Sequence, residues 1–315
     1  MHYRPLAQTG LSVSEICLGT MQFLWTATEE DSYRVLDAFV DAGGNFIDTA
    51  DVYSSWAPGL HGGEAETIIG PWMEKRKNRD KIILATKVCG RMWDGPDGEG
   101  LGKAHILRAC EESLKRLKTD RIDLYQSHSS DKNTPVDETL STYAQLAGSG
   151  KVRFIGCSNY SMDALAEALK AGPRAGVSYV SLQPKYSLLH RGEFEKFILP
   201  LAQRFKMAVI PYSPLAAGFL TGKYRPNDTS VKSARAANVR HEYMNERGFS
   251  VLKKVEEIAA KIGKTASQTA LAWLLSHEWM TAPIIGANTV AQLNESLGAA
   301  GLRLAPDDKQ ALDAL

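Results

Sequence analysis

Three ionisable side chains stand at the ends of short apolar runs: Asp48 after Phe46-Ile47, Lys87 after Ile82-Ile83-Leu84, and His128 after the run beginning Ile122. An aspartate at the end of a strand buried on both faces is costly unless a cation meets it, and the lysine that ends the next run is the obvious partner. Tyr53 follows Asp48 closely enough to reach the same space. A tyrosine, with a pKa near 10, is too weak an acid to protonate a carbonyl oxygen efficiently at neutral pH. A nearby ammonium favours the phenolate and lowers that pKa. The four residues therefore make sense as one general acid–base unit, in which Asp48 holds Lys87 charged, Lys87 acidifies Tyr53 and His128 steers a substrate oxygen. Taken singly, a tyrosine after a strand is a packing residue, a lone histidine is structural, and Lys87 with Asp48 is a structural ion pair. The specificity lies in one group per successive strand end.

The elements that must position these groups alternate regularly. Leu6 to Ser14 reads as a hairpin turning at Gln8-Thr9-Gly10, placed to plug one end of the fold. A first strand, Ile16-Cys17-Leu18, breaks at Gly19-Thr20-Met21, where a missing Cβ lets a ligand approach the backbone. Helical spacing follows from Thr28 to Gly43. After the stretch around Asp48 come a Gly-rich loop from Ser54 to Gly63, a helix from Glu64, the strand ending at Lys87 and a loop from Arg91 to Gly102. A helix from Ala104 to Leu117 precedes the strand ending at His128, and Pro135 opens the next helix. Val152 to Cys157, Val180 to Gln183, Ala208 to Tyr212 and Ala282 to Gly286 read as the fifth to eighth strands. Uninterrupted strand–helix units predict an α/β chain closed into one (β/α)8 TIM barrel spanning 1–315, with functional side chains at the carboxyl ends of the strands. A long polar connection after the seventh strand, Ala216 to Phe249, breaks the regular spacing, and such a loop is functional or mobile. Two helices, Val251–Ile262 and Ser267–His277, come before the eighth strand.

Composition excludes several classes of function. The 315 residues are 44% hydrophobic and 23% charged, ordinary for a globular chain with a full core, and a net charge of +1 gives no broad field for nucleic acid or an anionic membrane. Cys17, Cys89, Cys110 and Cys157 form no C-x-x-C pair and read as free thiols rather than metal ligands or disulfides. Met1 to Leu6 has no apolar signal region, and no run approaches the roughly 18 apolar residues of a membrane span, so a cytoplasmic location is expected.

The motifs Asp-Thr-Ala-Asp-Val-Tyr at 48–53, Thr-Lys at 86–87 and Tyr-Gln-Ser-His at 125–128 carry Asp48, Tyr53, Lys87 and His128 in the order of the tetrad of the aldo-keto reductases. The chain resembles that family over essentially its whole length, including Gly156-Cys157-Ser158-Asn159, Gln183-Pro184, Tyr212-Ser213-Pro214-Leu215 and Leu220-Thr221-Gly222-Lys223-Tyr224. The resemblance implies a (β/α)8 barrel that binds NADPH across its mouth and transfers hydride to a carbonyl without a metal. Carried over residue by residue, Ser158, Asn159 and Gln183 would hold the nicotinamide carboxamide and Tyr212 would stack on its ring. Gly19, Thr20, Met21 and Asp48 would line the nicotinamide ribose side. Ser213, Leu215, Gly218 and Leu220 would follow the pyrophosphate, and Gly286, Asn288, Gln292 and Glu295 the adenosine. Members selective for NADP usually present Lys or Arg after the eighth strand. Here Gly286 to Gln292 has neither, and Ser296 stands where Asn is common, so NADP(H) is expected with NAD(H) as the rival.

Trp25, Trp56 and Trp93, each in or near a strand-end loop, are candidate walls of an aromatic pocket for an apolar or sugar-like carbonyl or alcohol. The sequence carries neither the Tyr-x-x-x-Lys pair nor the early Gly-x-Gly-x-x-Gly of a short-chain dehydrogenase. A metal-dependent hydrolase is disfavoured as well, because only His128 among seven histidines occupies a clear strand end. The alternative is a regulatory or redox-sensing module that holds the cofactor and turns over slowly, like the channel-associated members of the family.

Overall fold

The fold is seen in a computed structural model that describes residues 1–228 and 230–315. An antiparallel hairpin pairs β1 (Tyr3–Pro5) with β2 (Ser12–Ser14). Strand and helix then alternate through β3 (Cys17–Gly19), α1 (Glu29–Asp41), β4 (Phe46–Asp48), α2 (Glu64–Arg76), β5 (Ile83–Val88) and α3 (Lys103–Arg116). The series continues with β6 (Ile122–Ser127), α4 (Val136–Gly148), β7 (Val152–Ser158), α5 (Met162–Ala175), β8 (Tyr179–Gln183), α6 (Leu199–Arg204) and β9 (Ala208–Val209). After β9 come α7 (Ala236–Glu242), α8 (Glu246–Ile262), α9 (Ala266–Leu275), β10 (Ile284–Gly286), α10 (Val290–Leu297) and α11 (Pro306–Asp313).

The eight strands β3 to β10 form one parallel sheet in the order β10-β3-β4-β5-β6-β7-β8-β9. Its two edges meet through backbone bonds, since the Thr281 N–H donates to the Val209 carbonyl at 2.9 Å and the Ile284 N–H to the Pro211 carbonyl at 2.8 Å. The sheet is therefore a closed (β/α)8 barrel. β9 is shorter than the seventh strand read from the sequence because Pro211 has no N–H to continue a ladder.

Alternation along the strands sorts side chains into two layers. Leu18, Ile47, Leu84 and Ile285 point outward under the helices. Cys17, Phe46, Ile83, Ala85, Leu124, Ala208 and Ile284 point inward, and Leu6 and Val13 of the hairpin close the bottom of this inner core. The plugging role expected of the hairpin holds, although its strands lie at either end of the stretch predicted. Higher in the barrel the inward positions turn polar: Asp48, Lys87, Gln126 and Gln183 are buried there. Gly156 makes room for this layer, because a Cβ at that position would run into Ser181 Oγ and lie 3.2 Å from Gln126 Cγ.

Helix starts follow local chemistry. Thr28, Ser161, Asn245, Thr265 and Thr289 cap α1, α5, α8, α9 and α10 with side-chain oxygens, and Thr265 with Gln268 forms a full capping box. The connection after β9 is less featureless than its polarity implied. It holds a 3-10 turn at Ala216–Thr221 and the helix α7, while Thr229 lies outside the described residues. A groove of about 750 Å3 opens at the far end of the barrel beside Arg4, Lys206, Trp279 and Arg303, away from every predicted site residue. Among the described residues no helix is long and apolar enough to cross a membrane.

Candidate active site

Lys87 is the centre of the polar layer. From β5 its buried Nζ donates to Asp48 Oδ2 at 2.6 Å, to Tyr53 Oη at 2.7 Å and to the Thr49 carbonyl at 2.9 Å. The three hydrogens of an ammonium are thus all placed. The other Asp48 oxygen accepts from Gln126 Nε2 and from Gln183 Nε2, each at 2.9 Å. Gln126 is a member that the sequence reading missed, although it lies two residues before His128 on β6 and strand alternation puts it on the inner face.

Tyr53 reaches Lys87 because the chain beyond β4 is tied back to the barrel. The Thr49 N–H donates to the Ala85 carbonyl at 2.9 Å and the Asp51 N–H to the Lys87 carbonyl at 3.2 Å. Ser54, at a left-handed φ of 76°, donates its hydroxyl to the Phe23 carbonyl at 3.0 Å. His128 sits just past β6 with its ring 5.8 Å from that of Tyr53.

The electrostatics correct one expectation. Burial raises the Tyr53 pKa, and although Lys87 pulls it down as foreseen, burial together with Asp48 outweighs the ammonium and leaves the phenol above its ordinary value. Tyr53 is therefore a proton-bearing phenol at neutral pH. Burial also opposes charge on Lys87, but Asp48 and Tyr53 more than offset it and hold the ammonium above the usual lysine range. Burial and the Lys87 charge push His128 down to about 3, so it stands as a neutral imidazole.

The residues expected around a nicotinamide also converge. Ser158 Oγ donates to the Gln183 carbonyl at 2.8 Å, Asn159 Nδ2 to the His128 carbonyl at 2.9 Å, and Tyr212 Oη to Asn159 Oδ1 at 2.9 Å. The Gln183 amide, by contrast, is engaged inside the barrel with Asp48 and Gln126. Thr20 donates both its N–H and its hydroxyl to the Asp48 carbonyl at 3.1 Å, and Met21 lies half-buried beside it. Gly19 also has a packing reason: a Cβ there would lie 2.7 Å from Ile284 Cγ2, so the glycine lets β3 pack on β10.

On the opposite side of the mouth, Ser213, Ala216, Ala217 and Gly218 all have left-handed φ values, between 49° and 93°. Leu215 and Leu220 pin this turn into the core. Two cations to which the sequence reading gave no role lie on this side, Lys223 in the Leu220–Tyr224 motif and Arg235. Lys223 Nζ lies 3.4 Å from where a Gly218 Cβ would stand, and the Arg235 guanidinium lies 5.7 Å from the Trp25 ring. Neither has a carboxylate partner among the described residues, and the buried Tyr224 hydroxyl beside them has no partner there either. Burial lowers both cations' pKa values, as it must for charges without a counter-ion.

Beyond β10, Asn288 accepts from the Thr26 hydroxyl at 3.0 Å, and its N–H donates to Gln292 Oε1 at 2.9 Å. Glu295 accepts from the Thr265 hydroxyl, and Gly286 is exposed above Gln22. Of the three tryptophans, Trp25 and Trp56 meet edge to face at 5.4 Å, and Trp56 lies 6.2 Å from Tyr53. Trp93 goes elsewhere, between His105 at 4.8 Å and the Arg108 guanidinium at 4.0 Å on α3. Among the described residues no group of three or more His, Cys, Asp and Glu is placed to hold a metal ion.

Comparison with known proteins agrees with this architecture. The model of the aldo/keto reductase family matches residues 15–315. The chain is 38% identical to the uncharacterized oxidoreductase YrpG of Bacillus subtilis, over 100% of this chain and 95% of the relative. It is 30% identical to the L-glyceraldehyde 3-phosphate reductase of Escherichia coli K12, over 95% and 87%. It is also 30% identical to a probable voltage-gated potassium channel subunit beta of Arabidopsis thaliana, over 95% and 91%. With a closed barrel, the Asp48–Lys87–Tyr53 contact and a family match that spans nearly every residue, the chain belongs to the aldo/keto reductase family.

Proposed function

We propose that this protein is an NADP(H)-dependent oxidoreductase that interconverts aldehydes or ketones and alcohols, with Tyr53 as general acid in reduction and general base in oxidation. The observation that carries the reading is the Lys87 ammonium bonded at once to Asp48 and to the Tyr53 hydroxyl. A phenol in that contact keeps its proton in the resting site, and the fixed positive charge stabilises the phenolate left when the proton moves to a substrate oxygen. His128, neutral and beside the Tyr53 ring, would hydrogen-bond the same oxygen and fix its direction.

The residues of the mouth suit a dinucleotide. The left-handed turn at 213–218, the unpartnered Tyr224 hydroxyl and the two uncompensated cations Lys223 and Arg235 make a cradle for phosphate groups. The pyrophosphate is common to NADP(H) and NAD(H), so these cations serve either cofactor; the preference for NADP(H) rests on the family match alone. When bound, a reduced nicotinamide supplies the hydride; the residues described here bind, orient and manage the proton. Trp25 and Trp56 would wall the substrate side.

The test follows nicotinamide absorbance at neutral pH against a panel of simple and sugar-derived aldehydes, together with dissociation constants for both cofactors. Turnover with tighter NADP binding supports the proposal; NADP binding no tighter than NAD overturns the cofactor preference. A second reading, a cofactor-holding sensor, draws support from the likeness to relatives named as potassium channel β subunits. Tight cofactor binding with negligible turnover on every carbonyl would favour it.

A further inference from the structure

Between Asp48 and Tyr53 the chain passes through Asp51, a buried carboxyl group that the proton chemistry above does not use. Neither carboxyl oxygen has a hydrogen-bond partner among the described residues; the Val52 amide lies near without making an aligned bond. The groups that face it come from every side: Glu66 on α2, Arg116 on α3, Lys87 on β5, Cys89 just beyond β5 and Tyr125 on β6. The Tyr125 hydroxyl is buried and unpartnered as well.

Charges in this patch do not balance. Three buried carboxyls, Asp48, Asp51 and Glu66, share two cations, Lys87 and Arg116. Both cations are already committed: Lys87 to Asp48, and Arg116 to Glu66, where Nε donates at 2.7 Å while the Thr86 hydroxyl donates to the other Glu66 oxygen at 2.6 Å. An ionised carboxylate with no donor and no counter-ion is the most expensive group a protein interior can hold. The carboxyl left over is Asp51, two residues from the proton donor and tied by its backbone to Lys87. Burial, reinforced by Glu66, raises its pKa well above the carboxylate range.

Resting on the reductase reading, we propose that Asp51 is a positioning residue that acts as a neutral carboxylic acid, leaving the Lys87 ammonium to Asp48 and Tyr53, and that its ionisation sets the alkaline limit of carbonyl reduction. Ionised, Asp51 would compete for Lys87 with Tyr53 and for Arg116 with Glu66, and its charge would oppose the field that makes Tyr53 give up a proton. Tyr53 itself keeps its proton to higher pH than an ordinary phenol, so a limit reached earlier has another source.

Two measurements test this. In the first, unfolding of the wild type and of Asp51→Asn is compared across pH without cofactor. Below the ordinary aspartate pKa of about 3.9 both folded and unfolded chains hold the proton, and the gap between the proteins is constant. Above it the unfolded chain releases the proton and the folded chain keeps it. The wild-type folding constant then falls relative to that of the variant, by about tenfold per pH unit, until Asp51 ionises in the folded state. Glu66→Gln should bring that levelling-off to lower pH. A gap that stays constant from pH 4 upward, or a levelling-off that ignores Glu66→Gln, overturns the proposal. In the second measurement, the alkaline limb of kcat/KM for aldehyde reduction should move to higher pH in Asp51→Asn; an unmoved limb refutes the link to catalysis. Should the wild type reduce no carbonyl at all, the reductase reading falls, and the unfolding comparison still decides where the Asp51 proton sits.

Discussion

On the β4–β6 side of the barrel mouth, Lys87 gives its hydrogens to Asp48, Tyr53 and the Thr49 carbonyl, and Asp48 in turn accepts from Gln126 and Gln183. Across the mouth, between Ser213 and Arg235, the backbone is held in left-handed turns, the Tyr224 hydroxyl has no partner among the described residues, and Lys223 and Arg235 carry charge without a counter-ion there. The Lys87–Asp48 network of the first side is complete before any ligand arrives. The second is satisfied only by an anion. Preorganised dipoles and charges serve a step in which charge develops and no reorganisation can be tolerated, whereas a strap that must admit and release a ligand is built from groups the ligand completes.

Breaking the finished side should have the largest effects. Lys87→Met leaves Asp48 buried without its cation, and removing one partner of a buried pair costs about 3–5 kcal/mol. Urea unfolding should register that loss, with turnover abolished. The pair also has a pH signature: because the folded Lys87 pKa is raised, its stabilisation is fully present below the ordinary lysine value and is lost only as pH climbs through the folded value. Tyr53→Phe separates proton transfer from cofactor binding. It removes the proton and leaves one Lys87 hydrogen without its acceptor, so turnover should fall by about a thousandfold while cofactor affinity is retained; a variant with wild-type rates would end the acid assignment.

His128 sharpens the same side. Held near 3, it has no charge to lose between pH 5 and 8. His128→Gln should therefore lower the pH–rate profile without changing its shape. A profile that loses an acid limb on this substitution would mean that the imidazole titrates in the working range after all.

The strap should respond differently. If Arg235 meets a cofactor phosphate as proposed, Arg235→Ala should lose a charge-assisted contact of about 1.5–3 kcal/mol, or roughly ten- to a hundredfold in cofactor dissociation constant. The turnover of the saturated enzyme should change far less than in Tyr53→Phe. Equal affinity for cofactor in the variant would remove Arg235 from the cradle.

The difference between the two sides also decided what was legible in the sequence. Three of the tetrad could be read because each ends an apolar run, and a buried strand that stops in an ionisable group is conspicuous; Tyr53 was found through its closeness to Asp48. Gln126 was equally fixed by alternation on β6, yet an amide at an inward position raises no electrostatic alarm. The strap's first residues, Ser213 to Leu220, were reached through the family resemblance, but the rest read only as a polar stretch, since nothing local says which of its cations will fold back over the mouth. The net direction of the Tyr53 pKa was not legible either. It depends on how completely the phenol is buried, which the barrel as a whole determines. The bottom of the barrel was the easier part, because Leu6 and Val13 announce a plug by composition alone.

The smallest effect distinguishes the tryptophans. Trp56, 47% exposed and edge-on to both Trp25 and Tyr53, has an apolar face with only solvent or substrate to cover it. Trp93 is already sandwiched by His105 and Arg108. Trp56→Ala should raise the Michaelis constant for an apolar aldehyde by about tenfold, the effect of losing one aromatic contact of about 1.5 kcal/mol, with stability nearly unchanged. Trp93→Ala should leave the Michaelis constant alone and lower the unfolding free energy, because what it loses is a cation–π contact and packing against α3. If the two variants exchanged these behaviours, the substrate would enter from the α3 side of the mouth, and Trp93 rather than Trp56 would be the wall of the pocket.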